Sequence, residues 1–305
     1  MTGFWYRALH TSGRLLGSPL FILVARIIAL GYFCHPGRRR ESLRLYSALY
    51  PQQSHLYHLW RVYRQFQSFT TIHVDRFLTS RGKPPRLTSE GEERLETALA
   101  DTGAILLMSH LGNWEMAARL LKQQKKDVPM LLYMGVKEKE GVEGLQKEQL
   151  QQAGITIIGV KQQGGSPFSA IEGIRCLQNG GLVSMTGDIL WQQEQRWVQV
   201  TFLGHEVRLP EAPYVFALVS GAPLFAFFAF RTGTNSYHCS LKGPIAVQAD
   251  TRAKRRPAIT RAAREYADLL EQALRKHPDQ WYHFEKFLRE RPEQKKVSRN
   301  SVFFD

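Results

Sequence analysis

A histidine and a glutamate five residues apart, His110 and Glu115, are the side chains of this sequence whose types and spacing best suit acid–base chemistry. The apolar run 104–108 before them is typical of a buried strand, and the pattern after them is helical. On one continuous helix the two side chains would point about 140° apart. They can therefore meet only if His110 lies in a turn and Glu115 in the first turn of the helix. A carboxylate that accepts a hydrogen bond from one imidazole nitrogen leaves the other nitrogen free as a general base, although a histidine at such a place is more often only structural.

Three further polar residues are candidates to bind substrate. Asn113 is suited to cap the helix that follows the turn, with Gly112 relieving the backbone beside it. Asp188 follows another buried run, so it can either orient an acceptor or cap a turn. Arg208, close to His205 in the segment 204–210, is a candidate contact for a head group or a phosphopantetheine arm, and a plain surface turn is the alternative.

The elements around these residues predict an α/β fold with a mostly parallel central sheet flanked by helices. Short apolar runs alternate with helical periods, which is the rhythm of βαβ units. The four runs are 104–108, 128–134, 155–160 and 182–186. The helical residues before about 80 and a final helix over 262–276 complete the framework, and Pro257 is taken to lie in a loop before that helix. A capping box from Ser89 to Glu92 predicts a further helix up to Ala100.

The N-terminal region predicts attachment to a membrane surface. The apolar segment 19–33 is too short to span a bilayer and carries Arg26 at its centre, so we expect it to lie in the interface or to dock on the body of the protein. Arg38, Arg39 and Arg40 follow it and suit an anionic leaflet. We therefore divide the chain into a membrane-associating segment (1–40), a catalytic domain (41–290) and a flexible tail (291–305).

The composition limits the remaining classes. The net charge of +14 favours anionic partners, either nucleic acid, an anionic lipid surface or an acidic carrier protein. Most aromatic residues occupy apolar-face positions rather than positions among basic residues, which argues against nucleic acid. The three cysteines match no metal-ligand spacing, and no nucleotide-binding motif is present, so we expect no metal and no cofactor.

The segment His110-Leu-Gly-Asn-Trp-Glu115 resembles the H-x4-D/E signature of the glycerolipid acyltransferase superfamily, and in particular its lipid A branch, the lauroyl and myristoyl transferases. Four later segments match in the family's order, namely 187–188, 200–204, 217–223 and 278–286. The chain departs from the family pattern in two places. Only Lys137 stands near the position of an expected arginine, and Asp188 is followed by Ile-Leu-Trp rather than by glutamine, so the acceptor stays open.

The resemblance implies transfer of a fatty acyl chain from acyl carrier protein, or from coenzyme A, to a hydroxyl of a lipid or glycolipid at the cytoplasmic face of a bacterial inner membrane. It makes His110 the general base and Glu115 the residue that holds its tautomer. Two other readings remain at this point. One is a basic protein without enzymatic activity that binds nucleic acid or anionic membrane, and the other is a hydrolase on the same scaffold that releases the acyl chain to water.

Overall fold

The computed structural model describes residues 22–80, 85–135, 142–160, 167–191 and 194–289. Lys137 and the tail 291–305 lie outside these residues, as do the first 21 residues of the N-terminal segment. The three-part division of the chain stays a prediction.

A seven-stranded sheet forms the centre of the molecule, in the order β1-β9-β8-β2-β5-β3-β4. Neighbouring strands are parallel except for the β8–β9 hairpin. Strands β6 and β7 form a separate antiparallel hairpin. The strands are β1 (Arg86–Glu90), β2 (Ala104–Met108), β3 (Met130–Gly135), β4 (Thr156–Val160), β5 (Leu182–Thr186), β6 (Trp197–Phe202), β7 (His205–Pro210), β8 (Leu224–Gly233) and β9 (Ser236–Ile245).

Helices cover both faces of this sheet, because every residue of β2 is buried and its side chains alternate between two apolar cores. The helices are α1 (22–34), α2 (Pro36–Leu49), α3 (His55–Ser80), α4 (Glu92–Leu99), α5 (Trp114–Gln124), α6 (Val142–Gln152), α7 (Pro167–Gln178), α8 (Ala212–Ser220) and α9 (Arg252–Lys276). The α/β class with a mostly parallel sheet flanked by helices is confirmed.

The structure corrects four local predictions. Ser89 lies in strand β1 and does not cap α4, which begins after Gly91 in a left-handed conformation. The segment with His205 and Arg208 is strand β7 rather than a turn. The helical spacing of the apolar residues in α7 predicts that Phe168 points inward, but this side chain is 80% exposed.

The fourth correction concerns the start of α9, which lies ten residues before the predicted helix and includes Pro257. Proline removes only one hydrogen-bond donor there. Pro257 is the sixth residue of α9, beyond the first four unpartnered donors, so the helix continues through it in spite of the lost bond to the carbonyl of Ala253.

Helix α1 exposes several large apolar side chains to water. Five of them are between 41% and 61% exposed: Ile22, Leu23, Ile27, Ile28 and Leu30. The end of α1 is held by aromatic packing, with Tyr32 against Phe66 and Phe33 against Tyr63. Among the described residues, no helix is both long enough and apolar enough to cross a membrane. The membrane-associating role of this segment therefore stays a prediction.

Candidate active site

The turn after β2 brings His110 to the carboxyl edge of the sheet. Gly112 in this turn has a φ of 82°, and a Cβ atom there would lie 2.4 Å from the carbonyl oxygen of Ala229. Only glycine fits such a close approach in this conformation. The next amide, that of Asn113, donates to the same carbonyl at 2.8 Å. The turn is thereby fixed against strand β8.

Asn113 caps α5, as the sequence predicts. Its Oδ1 accepts from the backbone amide of Met116 at 3.1 Å, and its Nδ2 donates to the Tyr237 hydroxyl at 3.3 Å. Tyr237 in turn donates to Asp75, which also accepts two bonds from Arg231. Both polar ends of the buried Asn113 side chain are thus used within the protein, and its predicted contact with substrate has no support in these bonds.

His110 binds Asp188. The Asp188 carboxylate accepts the backbone amide of His110 at 2.6 Å and lies 3.1 and 3.2 Å from Nδ1 of its imidazole. The strand register explains this contact. Met108 of β2 pairs with Thr186 of β5, so the residues two positions later on each chain, His110 and Asp188, lie side by side where both strands end.

The Asp188 carboxylate stays ionised although it is only 1% exposed. Burial alone would raise its pKa, but the charge of His110 and the bonds from His110 outweigh this effect, and the pKa is lowered. Tyr266 closes the site from α9, since a Cβ on Gly187 would lie 2.5 Å from its hydroxyl. Burial and then the Asp188 charge raise the pKa of Tyr266. Asp188 therefore faces the imidazole as an anion.

Glu115 forms an ion pair with Arg76 of α3. Both side chains are largely buried, at 3% and 12% exposure. Nη1 of Arg76 also lies 3.4 Å from Nδ1 of His73, whose pKa is lowered to about 4 by burial and by Arg76. The sequence pairs Glu115 with His110, whereas these bonds give Glu115 a cationic partner. The His110–Glu115 dyad stays a prediction.

His283 is a second imidazole at the site. The backbone amide of Tyr282 donates to the carbonyl of His110 at 2.7 Å, and Leu111 bridges Trp281. This places the His283 ring 5.3 Å from the His110 ring in an edge-to-face arrangement. Burial, then the charge of His110, lowers the pKa of His283, so this buried ring is neutral at pH 7.

Arg208 lies on the β6–β7 hairpin, where its guanidinium stacks on Trp197 at 3.9 Å from the ring centre. His205 at the start of the same strand has its Nδ1 2.9 Å from the carbonyl oxygen of Arg289. Within the residues that the structure describes, no hydrogen bond or salt bridge joins Arg208 to His110 or Asp188. Its predicted contact with substrate stays a prediction.

An apolar cavity of about 320 Å³ opens beside the site at the ends of β3, β4 and β5. Met185 and Thr186, which immediately precede Gly187 and Asp188, line it, together with Tyr133, Trp191 and Phe216. Trp191 is fixed by a 2.9 Å bond from its indole nitrogen to the Thr186 hydroxyl. A pocket of this composition suits an alkyl chain rather than a sugar.

Sequence reasoning missed three contributors to the site: Arg76, Tyr266 and His283. Each comes from an element distant in the chain, and the helical spacing of Tyr266 in α9 predicts only a core position for it. The pairing of His110 with Asp188 had a signal in the sequence, because each residue stands two positions beyond a buried strand. Among the described residues, no group of three or more histidine, cysteine or carboxylate side chains is arranged to hold a metal ion.

The model of the family described as bacterial lipid A biosynthesis acyltransferase matches residues 60–290. The match covers more than half of the chain and includes the turn with His110, the segment with Asp188 and the segment with His283. The chain therefore belongs to this family and is an acyltransferase of lipid A biosynthesis. A comparison with curated proteins finds no match.

Proposed function

We propose that this member of the lipid A acyltransferase family transfers a fatty acyl chain from an acyl carrier protein to a hydroxyl of a membrane lipid or glycolipid, with His110 as the general base. The observation that carries the proposal is the contact between the Asp188 carboxylate and Nδ1 of His110. A hydrogen on Nδ1 then points at the carboxylate, and the opposite nitrogen, Nε2, is left as a proton acceptor.

The reaction follows from this tautomer. Nε2 takes the proton of the acceptor hydroxyl while its oxygen attacks the thioester carbonyl carbon, and the buried Asp188 anion stabilises the imidazolium that forms. When the tetrahedral intermediate collapses, the carbon–sulfur bond breaks and the thiolate takes the proton from Nε2. The products are an ester and a free thiol, and no covalent enzyme intermediate is needed.

The sequence assigned the support of the imidazole to Glu115, and we assign this role to Asp188. Glu115 then acts through Arg76, since the ion pair ties α5 to α3 directly behind the catalytic turn. The apolar cavity next to Thr186 supports the donor side of the proposal, because an acyl chain held there would have its thioester near His110.

Charge supports an acidic carrier as the donor, although coenzyme A is also anionic. Arg252 and Arg255 in the first turn of α9 are exposed, and in the described part of the chain no salt bridge engages them. Arg255 lies eleven residues before Tyr266, about 16 Å along the helix. Because Tyr266 packs on Gly187, a carrier at this surface could extend its phosphopantetheine arm toward His110.

The exposed apolar side chains of α1 support attachment at a membrane surface, where a lipid acceptor would be found. We place the protein on the cytoplasmic face of the inner membrane on this basis, since acyl carrier protein is cytoplasmic.

The test is to measure thiol release and ester formation together, with acyl carrier thioester and a lipid extract as acceptor. The intact protein should form an acylated lipid, identified by mass spectrometry, in step with thiol release. His110→Ala should reduce both by at least about 10²-fold while circular dichroism stays unchanged. Near-normal transfer by folded His110→Ala would exclude the proposed base, and thiol release without acylated lipid would indicate a hydrolase.

A further inference from the structure

A basic groove of about 690 Å³ lies at the start of α2, where it meets the chain segment after His283. It is lined by five cationic side chains from two parts of the chain more than 240 residues apart: Arg39, Arg40, Arg44, Lys286 and Arg289. Among the described residues that line it, none is an aspartate or a glutamate. The fold therefore adds Lys286 and Arg289 to the basic cluster at the start of α2, which the sequence alone does not predict.

These cations are poorly compensated. Arg44 has an ion pair with Glu41 at 3.3 Å, but in the described part of the chain no salt bridge reaches Arg39, Arg40, Lys286 or Arg289. Desolvation, then the charge of Arg208, lowers the pKa of Arg289, and these effects outweigh the opposite effect of Glu206. An anion in the groove would relieve this repulsion.

The position of the arginines on α2 also favours a bound anion. The first turn of this helix contains no acidic residue, and Arg38, Arg39 and Arg40 stand near its N-terminus. Cations at the positive end of a helix are unfavourable, and Pro36 at that end also lines the groove. A bound anion would meet both the arginines and the helix end.

The surroundings identify the kind of anion. His35, in an extended conformation, is the single residue between α1 and Pro36, and Leu30, the last of the exposed apolar side chains of α1, lies six residues before Pro36, so at most about 20 Å of chain joins the two. A phosphate in the groove would thus be close to a helix face that suits acyl chains. Water-soluble anions such as nucleic acids carry no acyl chains that could contact such an apolar face.

We propose that this groove binds the phosphate head group of an anionic membrane lipid and thereby docks the protein on the membrane with α1 in the interface. Arg40 and Arg289, one from each wall, hold the phosphate. At most about 20 Å of extended chain separates Arg289 from His283 beside His110, so docking through this groove would present the catalytic edge to the membrane surface. The inference concerns membrane docking, and it does not depend on the donor or on the chemistry at His110.

Binding of the purified full-length chain to vesicles tests the proposal without donor or acceptor. Vesicles of phosphatidylcholine are compared with vesicles that also contain roughly one-third phosphatidylglycerol. Arg40→Glu combined with Arg289→Glu should lower partitioning onto the anionic vesicles by at least about tenfold and leave binding to pure phosphatidylcholine unchanged. The Arg40 change places an acid near a helix N-terminus, so α2 should not be destabilised.

Arg261→Glu combined with Arg264→Glu is the matched control, because it makes the same charge change on exposed residues of α9. It should change partitioning by no more than about twofold. Equal losses of vesicle binding in the two double variants would mean that the attraction is diffuse, and this result would contradict a specific phosphate site in the groove. The proposal also fails if the intact protein shows no preference for anionic vesicles, or if inorganic phosphate binds the groove while vesicles do not. A groove variant that binds vesicles normally but loses activity with carrier-bound donor would assign the groove to the carrier instead.

Discussion

Asp188 contacts His110 twice, through the backbone amide at 2.6 Å and through Nδ1 of the ring at 3.1 Å. The first bond holds the backbone of the turn and the second holds the ring, so one buried carboxylate positions both, and in the proposed mechanism it also sets the tautomer of His110. Because both residues continue paired strands, this geometry is as rigid as the sheet itself.

Asp188→Asn should separate the two roles of this carboxylate. The amide oxygen can still accept the backbone bond of His110, so the fold should persist. The amide group facing Nδ1, however, favours the tautomer with its hydrogen on Nε2, and that tautomer cannot take the acceptor proton. We expect kcat to fall by at least about 10²-fold with little change in KM. Nitrogen chemical shifts of the His110 ring should report the changed tautomer, and a variant with normal kcat would contradict the assignment.

Removal of either partner of the Arg76–Glu115 ion pair alone should destabilise the protein strongly, because the remaining charge is buried without its partner. Arg76→Met leaves a buried carboxylate and Glu115→Gln leaves a buried guanidinium, so each should reduce the free energy of unfolding by about 3 kcal/mol. The double variant should be destabilised by clearly less than the sum of the two.

The same variants decide whether Glu115 also acts on His110. If it does, Glu115→Gln should lower kcat far more than Arg76→Met at equal stability, and Glu115→Ala should approach the loss seen with His110→Ala. If it acts only through Arg76, the two single variants should lose activity together.

Local chemistry in the sequence was enough to predict most elements of the fold. The buried runs of β2 and β5, the Asn113 cap and the turn at Gly112 follow from neighbouring residues, and each is confirmed. The contact between His110 and Asp188 was not predicted, because the prediction paired His110 with the nearest carboxylate along the chain, Glu115, and strand order brings Asp188 alongside. Strand order, and the approach of α3 with Arg76, depend on tertiary packing that a periodic pattern does not encode.

His73 should make the protein less stable in mild acid. Its pKa is about 4 in the folded protein, below the ordinary value of 6.5, because burial and Arg76 disfavour the imidazolium. Between pH 6.5 and 4 the unfolded chain therefore binds a proton that the folded protein does not, and stability falls as the pH is lowered through this window. The contribution is at most about 3 kcal/mol, with no further loss from this group below pH 4. Denaturation curves of His73→Gln should show a shallower dependence over that range, and an unchanged slope would contradict the shifted pKa.

The exposed face of α1 should contribute to membrane attachment. Removal of residues 1–40 would also delete Tyr32 and Phe33, which pack on α3, together with the first residues of α2. Point substitutions are therefore the cleaner test. Ile27→Ser combined with Leu30→Ser should lower the membrane partition coefficient by at least about 30-fold, since each change removes roughly 1–2 kcal/mol of apolar transfer energy. Val219→Ser, at a residue that is 62% exposed on α8, is the control and should have no effect. Raised salt should weaken the remaining attachment.

The start of α9 should govern use of a carrier-bound donor. Four basic residues stand at the start of α9. Arg256 is bound to Glu211 at 2.7 Å and Lys254 to Asp250 at 3.1 Å. The charges of the other two, Arg252 and Arg255, can therefore be reversed without breaking a salt bridge of the described residues. Glutamate in the first helical turn is favourable, and the fold should therefore tolerate Arg252→Glu combined with Arg255→Glu.

This double variant should lower kcat/KM for acyl carrier thioester by about tenfold or more and should weaken its salt dependence, because the two arginines attract an acidic protein before the arm enters the site. A small acyl thioester, which needs no docking, should be used as well as by the intact protein. Lys126→Glu is the control, since Lys126 is exposed after the end of α5, away from the edge that carries His110. An equal loss of kcat/KM with both donors would mean that the substitutions affect the chemistry or the fold. No loss with either donor would contradict docking of the carrier at this surface.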